Sequence, residues 1–142
     1  MHKCLNIQNQ HETEIMNSKD EFIEIMKKRT QKFAVDVIRF CNTLKESKGS
    51  SVISCQLIKS ATSTGANYQA ACRGRSQSEF FSKLCIFVEE SDESVYWLEV
   101  IQDSKLSNDQ NELARLLQET VEISKIMTKS KDTTYKNMNQ KN

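Results

Sequence analysis

Apolar residues recur at alternating spacings of three and four along four stretches of the chain, a pattern typical of helices that each bury one face. The pattern predicts helices over residues 19–46, 51–73, 77–104 and 108–129. Helices joined by short connections pack as antiparallel neighbours. The sequence therefore predicts an all-α protein, an antiparallel up-down-up-down four-helix bundle.

The residues predicted to face the core share this spacing. In the first helix they are Phe22, Met26, Thr30, Phe33, Val37, Phe40, Cys41 and Leu44. In the third they are Phe80, Leu84, Phe87, Val88, Ser91, Val95, Leu98 and Ile101, and in the fourth Leu113, Leu116, Leu117, Thr120, Ile123 and Met127.

The second helix has two neighbouring stripes instead of one, and both consist mostly of small residues. One stripe contains Cys55, Ile58, Thr62, Gly65 and Cys72, and the other contains Leu57, Ala61, Thr64, Tyr68 and Ala71. At about 100° per residue the two stripes together cover about half of the helix circumference. This width predicts close packing on two sides, against the bundle and against a neighbouring subunit.

Helix starts are indicated by Ser-x-x-Glu or Ser-x-x-Gln patterns, because the serine caps backbone N–H groups and the Glu or Gln reaches back. Such patterns begin at Ser18, Ser76 and Ser107, and Gly49 suits the C-cap of the first helix. Residues 1–17 and 130–142 are predicted to be disordered tails on a single bundle domain over residues 18–129. Residues 1–15 are alternatively sequence upstream of a start at Met16.

Composition agrees with long helices and narrows the class of protein. The 142 residues include no proline and only three glycines, whereas a sheet protein needs many turns. No stretch approaches the roughly 18 apolar residues of a membrane span, and residues 1–17 lack the apolar core of a signal peptide. We therefore expect a cytoplasmic protein with no membrane contact.

Neither a metal site nor a catalytic site is predicted. The five cysteines form no Cys-x-x-Cys pair, and the two histidines, His2 and His11, lie before the first predicted helix. Glu89, Glu90 and Glu93 resemble the carboxylates of di-iron bundles, but those sites also need helical histidines. The chain has no G-x-S-x-G sequence and no phosphate-binding loop. We expect a protein that is not an enzyme and has no cofactor.

Charge is distributed unevenly although the formal net charge is only +1. Residues 50–78 contain three basic residues and no acid, whereas residues 79–103 contain seven acids and one lysine. Cationic stripes attract phosphate backbones. The candidate nucleic-acid-binding residues are Lys28, Lys32 and Arg39 of the first helix, Lys59 and Arg73 of the second, and Arg75 of the following connection.

Two other interpretations of the basic stripes stay open at this point: a solvated surface, and pairing with the acidic third helix within or between subunits. The third helix also places Ile86 and Trp97 away from its core stripe. Tryptophan is enriched in interfaces. Ile86, Trp97 and Val35 are therefore the candidate residues of an oligomer interface.

Three stretches resemble one known family. They are Arg29-Thr30 with Phe33-Ala34 and Val37-Ile38, QLIKSATSTGANYQAACRGRSQSEFFSKL from Gln56, and EESDESVYWLEVI from Glu89. In combination they resemble the four-helix bundle family named for 23S rRNA intervening sequences, over roughly residues 20–127. Relatives often carry arginine at the positions of Lys59 and Gln69, so this chain has less positive charge on that surface than they have.

The resemblance implies a left-handed bundle that assembles into a ring-like homopentamer without enzymatic activity. Members are encoded in insertions within ribosomal RNA genes, and a related branch assists the reverse transcriptase of diversity-generating retroelements. We expect a homo-oligomer whose basic first and second helices contact RNA or DNA. The alternative is a protein-binding scaffold, for example for a reverse transcriptase or another ribonucleoprotein.

Overall fold

Four helices make up the described part of the chain, residues 2–140 of the computed structural model; side chains are described from residue 9 onward, except that of Met16. The helices are α1 (His2–Asn42), α2 (Lys48–Cys72), α3 (Gln77–Asp103) and α4 (Gln110–Gln140). Each helix packs against its neighbour in sequence, and α1 also packs against α4. This arrangement confirms the predicted antiparallel four-helix bundle.

The buried residues follow the predicted stripes closely. Met26, Phe33, Leu84, Leu98 and Ile123 are at most 2% exposed. Phe22 differs, because it lies where α1 extends beyond the well-packed core and is 42% exposed. On α2 the stripe from Leu57 to Ala71 forms the core side, and the stripe that contains Cys55 and Thr62 is half-buried or exposed, with Gly65 buried beside α1.

The connections between helices differ from the predicted boundaries by a few residues. α2 begins at Lys48 because Ser47 is its N-cap and exchanges hydrogen bonds with Ser50, so Gly49 lies in the first turn and not at a C-cap. Ser76 is the N-cap of α3, as predicted. At the start of α4 the N-cap is Asp109, whose carboxylate accepts a hydrogen bond from the N–H of Glu112. The predicted cap, Ser107, lies two residues before Asp109 and accepts a hydrogen bond from the Asp109 N–H.

The α3 C-terminus is a Schellman motif with lysine at the left-handed position. Lys105 has φ of 53°, its N–H donates to Gln102, and the N–H of Leu106 donates to Ile101. Half-buried Leu106 packs against the core, which holds the turn in place.

Both segments predicted as disordered tails are helical where the structure describes them, and residues 1, 141 and 142 lie outside the described part. α1 passes Ser18 without interruption, because no proline or glycine precedes Gly49. α4 continues beyond residue 129 because Thr134 is buried and the Tyr135 ring packs on Phe81, with ring centroids 5.7 Å apart. Threonine and serine replace apolar residues on this part of the α4 core face, which hides the periodicity.

Candidate nucleic-acid interface

The α1 cations Lys28, Lys32 and Arg39 are all exposed. Lys32 forms an ion pair with Asp36, and Arg115 of α4 binds the same carboxylate oxygen at 2.9 Å. Burial would raise the Asp36 pKa, but the hydrogen bonds from Lys32 and Arg115 outweigh it and lower the pKa below its ordinary value of 3.8. Lys32 is thus engaged within the protein, whereas Lys28 and Arg39 have no ion pair in the described part of the chain.

Arg29 of α1 lies next to Lys28 in the sequence, and its contacts with α4 were not predicted from the sequence. It is half-buried and donates hydrogen bonds to both Glu119 and Glu122 of α4. The hydrogen bond to Glu119 is the main reason that the Arg29 pKa is raised. Together with the Asp36–Arg115 pair, these contacts form an ionic seam between α1 and α4. Arg29 is therefore a structural residue of the seam.

Lys59 is exposed on α2 and lies on the α3 side of that helix, close enough to Glu90 to affect its ionisation. The Glu90 pKa is raised, first by burial and then by the nearby Glu93 carboxylate, while Lys59 opposes the rise. Lys59 thus faces the acidic helix α3, whereas Lys32 lies on the α4 side of α1.

Arg73 and Arg75 are exposed in the connection between α2 and α3, at one end of the bundle. Glu79 lies close to this connection, and its carboxylate accepts a hydrogen bond from the Arg75 backbone N–H at 2.7 Å. Neither guanidinium forms an ion pair with any described residue. The six predicted cations therefore lie in three places: on α1, at Lys59 on α2, and at Arg73 and Arg75 between α2 and α3.

The three predicted interface residues occupy different environments. Trp97 is half-buried, packs on the core, and donates from Nε1 to Oε1 of Glu93 at 3.1 Å. The Tyr96 ring meets it edge-on with centroids 4.9 Å apart. Ile86 is half-buried on the same helix, and Val35 is 38% exposed on α1. Their role in an interface stays a prediction.

A cleft that the sequence did not predict opens between α1 and α4, with a volume of about 880 Å³. It lies beyond the ionic seam, towards the end that carries Arg73 and Arg75. Lysines Lys19 and Lys129 line it together with aromatic and small polar residues, and its described lining contains no carboxylate. The sequence after residue 124 is rich in lysine. If this whole region had been predicted as helix, its lysines would have indicated positive charge at this end of the bundle.

The described part of the chain contains neither a metal-binding cluster nor a membrane-spanning helix. No group of three or more His, Cys, Asp or Glu side chains there is arranged to hold a metal ion. None of the four helices, as far as they are described, has the length and apolar character of a membrane span.

The described structure is an antiparallel four-helix bundle. Its surface carries exposed cations without ion pairs among the described residues, and a cleft lined by two lysines. The sequence profile of the 23S rRNA-intervening sequence proteins matches residues 21–129. The chain belongs to that family.

Comparison with solved structures finds a similar fold. A crystal structure of a protein of unknown function from the S23 ribosomal protein family of Bacteroides thetaiotaomicron superimposes with a TM-score of 0.70 at 26% identity. The match covers 78% of this chain and 97% of that one. Among curated proteins, none matches the chain significantly.

Proposed function

We propose that this chain is a non-enzymatic, homo-oligomeric, cytoplasmic protein that contacts the phosphate backbone of RNA or DNA. One observation carries the proposal: of the six predicted cations, only Lys32 has an ion-pair partner within the described part of the chain. When exposed cations of a protein neutralise phosphates, the nucleic acid releases its condensed counterions, and this release is the main source of non-specific affinity. Membership in a family named for 23S rRNA favours RNA as the ligand.

The contrast with the paired cations supports the assignment. Lys27, Arg29 and Arg115 are held by carboxylates of this chain. Lys28, Arg39, Lys59, Arg73 and Arg75 are exposed and form no ion pair with any residue that the structure describes. Since they lie on helix surfaces and in one short connection, we assign them to phosphate contacts and not to base recognition.

Charge reversal tests this proposal. We expect two variants, Arg73→Glu/Arg75→Glu and Lys28→Glu/Arg39→Glu/Lys59→Glu, each to weaken RNA binding at low salt by at least about tenfold. The slope of the logarithm of the binding constant against the logarithm of salt concentration should become shallower by about 0.7 to 0.9 per lost phosphate contact. Fluorescence anisotropy with a labelled RNA, titrated at several salt concentrations, measures both quantities.

Lys45→Glu/Lys48→Glu is the control matched in charge to the double variant, because both lysines are exposed where α1 connects to α2 and form no ion pair among the described residues. The proposal would be overturned if the double variant and the triple variant both bound RNA with wild-type affinity. An equal loss in the Lys45/Lys48 control would indicate a net-charge effect without a site.

The homo-oligomer is the second part of the proposal. Val35 and Ile38 are 38% and 37% exposed on the outer side of α1, and apolar side chains in such positions gain from burial in an interface. Mass measurement by light scattering at micromolar concentration tests it, with the pentamer as the expected state. A monomer at that concentration contradicts this part of the proposal.

A protein-binding scaffold, for example an accessory subunit of a reverse transcriptase, is the alternative function. The exposed apolar residues Val35, Ile38 and Val52 favour it, because they lie on the same two helices as the unpaired cations. A partner that stays bound after nuclease treatment, and that is lost in Val35→Ser/Ile38→Ser, would favour the scaffold over direct nucleic-acid contact.

A further inference from the structure

The cleft between α1 and α4 begins where the ionic seam ends. The seam joins the two helices through Arg29 and Asp36 of α1 and their partners on α4. Nearer the N-terminus of α1, the cleft is lined on one side by Phe22 and Ile23 and on the other by α4 residues from Ile126 to Asn137. The opening is therefore a defined gap beside a fixed contact.

The lining combines three chemistries in one place. Phe22 and Phe80 supply aromatic surface, and Phe22 is 42% exposed. Gln77, Ser130 and Asn137 supply amide and hydroxyl groups that can both donate and accept. Lys19 and Lys129 supply positive charge from opposite helices, with no described carboxylate in the lining to neutralise them.

The floor of the cleft includes Tyr68, whose side chain is 2% exposed and packs edge-on against Phe87 with ring centroids 5.8 Å apart. Burial raises the Tyr68 pKa well above its ordinary value of 10.0, so the hydroxyl stays protonated and able to donate. The thiol of Cys72 lies beside it and also lines the cleft.

The mouth of the cleft adjoins the connection that carries the exposed Arg73 and Arg75. Cys72, Gly74 and Ser76 line the cleft, and they alternate along the chain with Arg73 and Arg75. Lys19 and Lys129 therefore border an aromatic and polar cavity, and the connection beside it carries two further exposed cations. Aromatic surface, edge-reading polar groups and cations are the groups by which proteins bind unpaired nucleotides of single strands.

We propose that this cleft binds an unpaired nucleotide of a single-stranded RNA or DNA segment. The proposal rests on the proposed nucleic-acid contact and adds its location and its substrate class. The base enters between Phe22 and Phe80 and meets the polar groups of α3 and α4. Its flanking phosphates lie against Lys19 and Lys129, and the strand continues towards the connection that carries the two arginines. A base within a duplex is stacked and paired, so it does not reach this site.

Two variants test the cleft without disturbing the core, since both side chains are exposed. Phe22→Ala removes a stacking surface, and we expect about fivefold or greater weakening of single-strand binding. Lys129→Gln removes a phosphate partner and lowers the salt slope for single strands by about 0.7. Tyr96→Ala and Lys125→Gln are matched controls, because Tyr96 and Lys125 are exposed and lie outside the cleft lining.

The probes are fluorescein-labelled twelve-nucleotide RNA and DNA of the same mixed sequence, each as a single strand and as a duplex. We expect wild-type protein to bind single strands more tightly than duplexes, and the cleft variants to lose that preference. The RNA and DNA arms identify the natural strand. Equal affinity of wild type for single strands and duplexes, or unchanged single-strand affinity in both cleft variants, would overturn the proposal.

Photo-crosslinking with 4-thiouridine-containing single-stranded RNA separates this proposal from the proposed function. Crosslinks that map by mass spectrometry to residues 19–23 or 126–137 support the cleft. Crosslinks confined to α1 near Lys28 and Arg39 would overturn the cleft while they support backbone contact. No binding by any probe would overturn both.

Discussion

The hydroxyl oxygens of Ser60 and Ser94 lie 2.8 Å apart, both fully buried between α2 and α3. Each serine also has a carbonyl of its own helix within reach, Leu57 for Ser60 and Glu90 for Ser94. One hydroxyl therefore donates across the interface while the other donates locally. The pair joins two of the three stretches that resemble the family, at Ser60 on α2 and at Ser94 on α3.

We expect Ser60→Ala and Ser94→Ala each to lower the free energy of unfolding by about 1 kcal/mol, the value of one interhelical hydrogen bond. The remaining serine keeps its own carbonyl, so no buried donor is left unpaired. The double variant should cost clearly less than the sum of the two single variants. Urea unfolding measures this cycle, and strict additivity would show that the two hydroxyls do not interact.

Gly65 faces Thr30, and a Cβ at that position would lie 3.5 Å from the Thr30 carbonyl oxygen. This distance is ordinary van der Waals contact, so a methyl group fits. We expect Gly65→Ala to stabilise the protein by up to about 1 kcal/mol, because alanine favours helix over glycine. Gly65→Val should destabilise it, since its larger side chain meets the Thr30 backbone. Thermal unfolding distinguishes the two; destabilisation by alanine would contradict the fit.

Asp36 makes stability depend on pH in a definite direction. Because its folded-state pKa is lowered, its contribution is fully present above the ordinary value of 3.8 and is lost as the pH falls through the folded-state pKa. The stability difference between wild type and Asp36→Asn should therefore be largest near neutral pH and shrink towards pH 3. Urea unfolding at both pH values measures it, with Asp103→Asn as an exposed control. A pH-independent difference would contradict this role.

Tyr135 tests whether the last part of α4 belongs to the bundle. Its ring packs on Phe81, and Thr134 beside it is buried. We expect Tyr135→Ala to cost about 1 kcal/mol, the usual value of an aromatic pair. Tyr135→Phe, which keeps the ring on Phe81, is the control and should leave the free energy of unfolding nearly unchanged. Deletion of residues 130–142 without loss of stability would show that the segment adds nothing to the fold.

Local patterns predicted the four helices and most of the core because each helix buries its apolar face inside the bundle. Ser60 and Ser94 were missed because a helical serine satisfies its hydroxyl on its own backbone, so it can be buried without an apolar signal. The helical ends of α1 and α4 were missed because polar residues replace apolar ones there.

The candidate site was predictable only in part. Exposure of the six cations follows from their position opposite the apolar stripe. Which cations are paired depends on the register between distant helices, as Arg29 with Glu119 shows. The cleft depends on where α1 and α4 separate, and no local spacing encodes that point.

α1 contains 41 residues and α2 contains 25, so at about 1.5 Å per residue α1 is longer by about 24 Å. Every described side chain from Asn9 to Phe22 is exposed. A helical segment of this length without packing partners is marginal in water, so it opens independently of the bundle. Proteases should therefore trim α1 from its N-terminus to about the position of Ile23, and a nucleotide bound in the cleft should move that limit outward.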